Sequence, residues 1–342
     1  MPQHPLSPIK PFKALRVHKT TEGPRASVQC VTRGDLTSAE VLVRVAYSGL
    51  NYKDALAVTG RAPILRSHPR VPGIDLSGVV EESRSAAFKP GDRVVATGEG
   101  LGEWLDGGFA EYAFVPAEAL VPLPPELSLL EAMVLGTAGF TAALALRRML
   151  ENGQNPHQGP IAVTGATGGV GSIALALLRR AGFTSAAITG KSQAAGYLHA
   201  LGADEVIDRA RLEWDAKPLA TAKWGGAVDN LGGETLAYLI RTCKPWGNIA
   251  SIGLAQSPAL ATTVMPFILR GVSLLGIHSV QVPRALRLAI WQQLAGPWRV
   301  PWIEQGVLRE VIELEAIEAA AQVLVTGQAT GRYVVRLAGT EA

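Results

Sequence analysis

The sequence predicts an α/β chain: a β-rich first part, then a doubly wound parallel sheet with helices on both faces. Three observations carry this. Short runs bearing Val, Phe and Tyr sit between Gly and Pro turns from Pro11 to about Pro124. From about Ser128 onward, apolar strand-like runs alternate with helix-spaced ones. One of these strands, IAVTGA, passes through a glycine turn straight into the helical run GSIALALLRRAG.

The elements follow in order. AEVLVRVAYSG is a β-rich run that ends at Ser48-Gly49. GVVEE, GDRVVATG and FAEYAFVP are shorter strands, with Pro90-Gly91 turning the chain into the second of them. SLLEAMVLGTAGFTAALALRRML (128–150) has helical spacing and contains the most apolar stretch of the chain. Glu131, glycines and threonines inside it predict a buried helix with a turn rather than a membrane span. The loop ENGQNPHQGP separates it from IAVTGA. TSAAITG is the next strand and AAGYLHALGA the next helix; EVID, GAVDN, NIASIGL and SLLGIHS are further strands. IELEAIEAAAQVLVTG is a last amphipathic helix ending at Gly327, and the strand GRYVVRL closes the chain. There is no internal repeat and no low-complexity segment.

Bulk composition narrows the function classes. With 342 residues, 48% hydrophobic and 18% charged, the chain has material for two compact cores. Its net charge of +3 is small and evenly spread, which argues against nucleic-acid binding. Cys30 and Cys243 are too few for a disulfide framework or a four-thiolate zinc lobe; they read as small buried hydrophobes in a reducing compartment. MPQHPLSPIKPFKALRV has prolines where a signal peptide needs an apolar core, so the expected home is the cytoplasm, with no membrane partner.

The strongest motif is Gly165-Ala166-Thr167-Gly168-Gly169-Val170-Gly171. Glycine recurs at every third position, and Gly169 adds a fourth. Small residues let the backbone turn sharply and approach a pyrophosphate, while the following helix offers unpaired N–H groups and a partial positive charge. Thr167, Gly168, Gly169 and Val170 are therefore candidate cofactor contacts. The next strand ends in Thr189-Gly190-Lys191-Ser192, where an NAD site usually places Asp or Glu on the ribose. No carboxylate stands there to repel a 2′-phosphate, and Lys191 can pair with one, so NADPH is the expected cofactor. Arg209, after the third strand, adds a second charge or covers the adenine.

With these residues in hand, the chain resembles the medium-chain dehydrogenase/reductase superfamily over nearly its whole length. The resemblance rests on GLNYKD (49–54), PGIDLSG (72–78), GDRV (91–94), GTAGFTA (136–142) and the glycine turn. Zinc-dependent members carry Gly-x-Cys-x-x-Asp and Gly-His-Glu at the first two of these. Here Asn51 stands at the cysteine, Ile74 at the histidine and Asp75 at the glutamate. The place of a third ligand meets only AMVL, so the expectation is an enzyme without metal. Within the superfamily the chain is most similar to the zinc-independent quinone-oxidoreductase-like branch, and there to the acrylyl-CoA reductase group. NYKDALAVTG, VPGIDLSGVV, VTGATGGVGSIA, ITGKSQ, LGADEVIDR, DNLGGETLA and PFILRGVSLLGIHSV carry that likeness.

The resemblance implies a GroES-like catalytic domain from 1–128 and 286–342, and a Rossmann NADP(H)-binding domain from 129–285. It also implies a homodimer. By the same resemblance Thr141 reaches the nicotinamide side, and Gly253 and Leu254 in SIGLA approach the nicotinamide ribose. Asn230 sits at a strand end where ligands collect, and Arg332 serves a phosphate or the fold.

Without a Lewis acid, alcohol oxidation loses its usual means of polarising the C–O bond. A conjugated C=C bond needs less. Hydride adds at the β-carbon, charge moves to the carbonyl oxygen as an enolate, and the protein supplies position, donors and a proton. Asn51, at the position of a metal ligand, and Tyr52 beside it are the catalytic candidates. Asp54 is expected to fix its loop by hydrogen bonding, and Asp75 to be a buried structural carboxylate. The expected function is NADPH-dependent reduction of an activated C=C bond in an enoyl-CoA, acrylyl-CoA to propionyl-CoA. Alternatives are an NADPH:quinone reductase and a non-catalytic NADPH-binding protein.

Overall fold

The computed structural model describes residues 9–212, 214 and 217–337. They pack as two compact units. The first holds the described residues of 1–137, 280–289 and 308–342; the second those of 138–279 and 290–307. These bounds differ from the expected 128/129 and 285/286. The helix from Leu129 breaks at Gly136, so its first half packs with the first unit. Residues 290–307 go with the second unit because their tryptophans are core: Trp291 and Trp302 are fully buried, and Trp291 lies 6.4 Å from the Phe140 ring.

The first unit is mostly antiparallel β. A hairpin, β1 (Phe12–Thr20) and β2 (Gly23–Val31), precedes β3 (Val41–Leu50). Then come α1 (Tyr52–Val58), β4 (Asp75–Ser83), β5 (Arg93–Thr97), β6 (Tyr112–Val115) and β7 (Leu120–Pro122). The helix α2 (Leu129–Glu151) starts in this unit.

The second unit holds the alternating elements. They are β8 (Ile161–Thr164), α3 (Gly169–Arg180), β9 (Ser185–Thr189), α4 (Ala195–Ala200), β10 (Glu205–Asp208), β11 (Trp224–Asp229), α5 (Gly233–Thr242), β12 (Cys243–Ser251), α6 (Met265–Arg270) and β13 (Ser273–Gly276). The chain continues through α7 (Arg284–Ala295), and β14 (Leu308–Ile312), α8 (Ile317–Val325) and β15 (Arg332–Arg336) return to the first unit.

In the first unit the strand order is β14-β15-β3-β4-β5-β7. β6 lies on the first half of β3 and β15 on its second half. Val43, Leu50, Leu76, Phe109, Leu120 and Val335 fill the core beneath, each side chain contributing about 1.5–3 kcal/mol by burial. The β15 register is consequential: Tyr333 opposes Leu50, which brings Arg332 beside Asn51.

In the second unit six parallel strands run in the order β10-β9-β8-β11-β12-β13. Chain order reverses between β8 and β11, and the carboxyl ends at such a reversal are where open α/β sheets bind ligands. By length and composition α2 could cross a membrane, but 78% of its most apolar window is buried inside the protein, as expected of a core helix. Cys243 is buried as expected; Cys30 is exposed on β2, because that strand pairs only with β1 and turns a face outward.

Candidate functional site

In the second unit the predicted glycine turn follows β8 directly. Gly165 has φ +56, the left-handed region that favours glycine, and turns the chain off the strand. Gly168 is the N-cap of α3. A Cβ at Gly171 would lie 2.5 Å from the Gly165 carbonyl oxygen, so only glycine lets the helix start this close to the turn. The turn and the free N–H groups of a 12-residue helix suit a pyrophosphate. Gly168, Gly169 and Val170 are partly accessible, whereas Thr167 is buried at 5% exposure.

The β9 end lies beside this turn. Thr189 is buried and its hydroxyl accepts from the Lys191 N–H at 3.0 Å; Gly190 and Ser192 are exposed. Burial holds the Lys191 ammonium below the ordinary lysine pKa. Arg209, just after β10, brings a guanidinium nitrogen to 3.8 Å from where a Gly190 side chain would begin. The register Asp208 opposite Thr189 sets this juxtaposition. Two cations and a glycine therefore meet at this strand end.

The ends of β11 and β12 carry Asn230, Gly253 and Leu254. Asn230 is tied back to β8: its side-chain amide donates to the Thr164 carbonyl at 2.8 Å, and its N–H to the Thr164 hydroxyl at 2.9 Å. A Cβ at Gly253 would meet the Asn230 oxygen at 2.4 Å, and Leu254 is 63% exposed. Thr141 is buried in α2 at 3% exposure. Sequence reasoning missed Thr164 and Asp229, which stitch the reversal point. The Thr164 hydroxyl donates to Asp229 at 2.7 Å, and Asp229 accepts from the Gly232 N–H at 2.8 Å. A Thr and an Asp ending adjacent apolar strands was the available signal.

In the first unit Asn51, Asp54, Asp75 and Arg332 form one buried cluster, with exposures of 7%, 1%, 0% and 3%. Asn51 caps α1. Its side-chain amide donates to Asp75 Oδ2 at 2.9 Å and Asp54 Oδ2 at 3.1 Å, and its oxygen accepts from Arg332 at 2.8 Å. Asp54 also accepts from the N–H groups of Asn51, Gly73 and Ile74, which fixes the Pro72–Ile74 turn to the start of α1. Asp75 accepts from the Gly49 N–H at 2.7 Å and the Thr137 N–H at 2.9 Å.

The cluster also explains the break in α2. Arg332 donates to the Met133 and Val134 carbonyls, shortly before the break; Asp75 takes the Thr137 N–H just after it, with Arg332 Nη2 3.8 Å from Asp75 Oδ2. A cation on the carbonyl end and a carboxylate on the amide end each sit where helix ends favour them. Gly136 between them has φ +48, and a Cβ there would lie 2.4 Å from Asp75 Oδ2.

The geometry bears on two of the candidate residues, and for Arg332 it favours the fold role over the phosphate one. The Arg332 guanidinium is buried and spent on Asn51, Asp75 and three backbone carbonyls. Asn51 as a donor to substrate gives way to a positioning residue, since its amide already serves two carboxylates and its oxygen an arginine. Tyr52, the first residue of α1, is 44% exposed. Burial, then the neighbouring Asp75 charge, pushes the Asp54 carboxyl up to about 7. Burial also raises Asp75, opposed by the Arg332 charge.

A zinc ion does not fit this cluster. Ile74 brings no donor, the Asn51 amide is engaged, and the Arg332 guanidinium already supplies the positive charge. Among the described residues, no group of three or more His, Cys, Asp or Glu could hold a metal.

Comparison with known proteins agrees with this architecture. Residues 37–125 match the alcohol dehydrogenase GroES-like domain family and 169–293 the zinc-binding dehydrogenase family. The chain is 44% identical to putative quinone oxidoreductase YhfP of Bacillus subtilis, over 95% of this chain and 99% of that one. It is 42% identical to acrylyl-CoA reductase AcuI of Ruegeria pomeroyi, over 95% and 98%. The yhdH oxidoreductase of Salmonella enterica, solved with NADP, superposes with TM-score 0.92 at 40% identity, covering 95% of this chain and 99% of that one. The Bacillus YhfP structure, with TM-score 0.92, was solved with NAD bound. With a GroES-like domain, a Rossmann-like sheet of this strand order and relatives this similar along almost the whole chain, the protein belongs to the medium-chain dehydrogenase/reductase superfamily, in its quinone-oxidoreductase-like, acrylyl-CoA reductase group.

Proposed function

We propose that the protein is an NADPH-dependent reductase of an activated C=C bond, converting acrylyl-CoA to propionyl-CoA. The observation that carries this is the likeness to AcuI over 95% of the chain, joined to a β9 end whose run Thr189–Ser192 carries Lys191 and no carboxylate, with Arg209 close to Gly190. The second unit is assigned the cofactor and the first the catalytic groups. Gly168, Gly169 and Val170 are assigned the pyrophosphate, and Gly190, Lys191, Ser192 and Arg209 the 2′-phosphorylated ribose. When bound, the cofactor supplies a hydride. Tyr52 is assigned as a hydrogen-bond donor to the thioester oxygen, worth about 3 kcal/mol in the barrier. Asn51 and Asp54 hold the start of α1, and so hold Tyr52 in place.

Quinone reduction is the second reading, favoured by the name of YhfP. We also assign the protein to the cytoplasm as a homodimer. The dimer reading is supported by the edge strand β13 and by apolar side chains of α6 that stand in water: Ile268 is 72% and Leu269 61% exposed. NADPH consumption, followed side by side with acryloyl-CoA and a simple quinone, tests the function. Rapid turnover of the thioester supports the proposal. Turnover of the quinone alone replaces it with the second reading, and cofactor binding without turnover of either replaces it with a non-catalytic role.

A further inference from the structure

The substrate reading requires a second polyanionic ligand besides the dinucleotide, because coenzyme A carries a 3′-phosphate and a pyrophosphate on an adenosine. The cations at the β9 and β10 ends are assigned to the dinucleotide, so these phosphates need cations elsewhere. The first unit offers a surface of the right chemistry. Trp104 is 41% exposed, and its indole is seated rather than loose: a Cβ on Gly100 (φ +89) would fall 2.1 Å from the ring. The N–H groups of Glu103, Trp104 and Leu105 all donate to the Gly100 carbonyl, closing the turn that carries the ring.

Neighbouring segments are pinned to that turn. The Arg66 N–H donates to the Glu103 carbonyl at 3.0 Å, so Arg66 and Trp104 share one locality. Glu103 also pairs with Lys53 at 2.9 Å, tying the turn to the residue after Tyr52. The chain between them passes Arg61, whose preceding Gly60 abuts Pro24 at the tip of the β1–β2 hairpin, and that tip carries Lys19 and Arg25.

The charges here are unbalanced. Lys53 and Arg70 each have a carboxylate partner. Lys19, Arg25, Arg61 and Arg66 are exposed and have no carboxylate partner among the described residues; Glu22 in the hairpin turn pairs with none of them. His68, in the same loop as Arg66, is held below its ordinary pKa by burial and then by Lys19, His18 and Arg70, all of one sign. Guanidinium groups without a carboxylate partner, on loops tied to the turn that carries an exposed, seated indole, are what a phosphorylated purine needs. The guanidiniums take phosphate oxygens in forked hydrogen bonds, and the indole takes the base by stacking.

We propose that this surface, centred on Trp104 and Arg66, receives the phosphoadenosine end of a coenzyme A thioester whose acyl end is served at Tyr52. The proposal rests on the enoyl-CoA reading above. The test uses the full-length enzyme with two substrates, acryloyl-CoA and acryloyl-pantetheine, the second lacking the phosphorylated adenosine. In Arg66→Ser and in Trp104→Ala the KM for acryloyl-CoA rises about tenfold, with little change in kcat. The KM for acryloyl-pantetheine does not change, and Arg66→Lys, which keeps the charge but loses the fork, falls between the wild type and Arg66→Ser. Adenosine 3′,5′-bisphosphate inhibits the wild type in competition with acryloyl-CoA, and more weakly in Arg66→Ser. Equal effects on the two thioesters, no effect on either, or competition of the bisphosphate with NADPH instead would overturn the subsite while leaving the enoyl-CoA reading intact. A wild-type enzyme that reduces neither thioester would overturn both.

Discussion

Around Asp75, in the first unit, two carboxylates, an amide and a guanidinium satisfy one another at 7% exposure or less. At the ends of β8 and β9, in the second unit, Gly190 and Ser192 are exposed and Arg209 stands beside a glycine with no acidic partner among the described residues. The first arrangement is closed and holds backbone in place: the start of α1, the turn at Pro72–Ile74 and the break in α2. The second is open to solution at Gly190 and Ser192, and its Arg209 charge has no acidic partner among the described residues. Polar residues of similar kind thus do different work, and what separates them is whether the protein itself uses up their hydrogen bonds.

If the closed cluster is structural, breaking it costs stability first. Arg332→Met leaves Asp75 buried without its cation and the Met133 and Val134 carbonyls without their donor. Urea unfolding should show a loss of about 3–5 kcal/mol. Gly136→Ala should also destabilise strongly, because the break requires a left-handed φ and leaves no room for a Cβ. Near-wild-type stability in both variants would mean the cluster is not what holds α2.

The open end should respond in the opposite way. Lys191→Ala should raise the KM for NADPH about tenfold while leaving the KM for NADH and the unfolding midpoint nearly unchanged. Equal loss with both cofactors would remove the 2′-phosphate role from Lys191.

The comparison also explains which parts were legible in the sequence. The glycine turn announces itself because the backbone needs a left-handed φ at Gly165 and the start of α3 packs so close to the turn at Gly171 that only glycine fits. The parallel sheet was legible from alternating strand and helix runs. The closed cluster was only half legible. Asp54 and Asp75 could be read as structural from the cost of burying a carboxylate. For Arg332 the sequence left a phosphate role and a fold role both open, because its partners depend on β15 lying against the end of β3, and Arg332 and Leu50 are 282 positions apart. The engagement of Asn51 was hidden for the same reason: its amide looks available until Arg332 and Asp75 are placed on it. Trp104 and Arg66 gave no motif at all, since their proximity comes from one backbone hydrogen bond between loops.

Smaller effects sharpen the contrast. The Asp54 carboxyl stands at about 7 in the folded protein. In the unfolded chain it ionises at about 4. The folded state therefore keeps its proton over that window, so this group's contribution to stability falls as pH rises from about 4 to about 7, then levels off. Asp75, also raised by burial, acts in the same direction. Unfolding followed across that range should show the fall, and Asp54→Asn should reduce it to the part that Asp75 contributes. A rise in stability with pH through that window, lost in the same variant, would contradict the assignment. The smallest effect expected is none: dialysis against a strong chelator should leave turnover unchanged, because the residues at the family's zinc position do not fit the ion. Loss of activity restored by zinc would contradict that fit.

The most direct measurement follows the label. Acryloyl-CoA is incubated with NADPH deuterated at the transferred position of the nicotinamide ring, and the product is analysed by mass spectrometry and NMR. Propionyl-CoA carrying that deuterium on its β-carbon, with the α-hydrogen drawn from water, is the predicted result. Deuterium that stays on the coenzyme, or product formed without it, would contradict hydride delivery to an enoyl thioester by this protein.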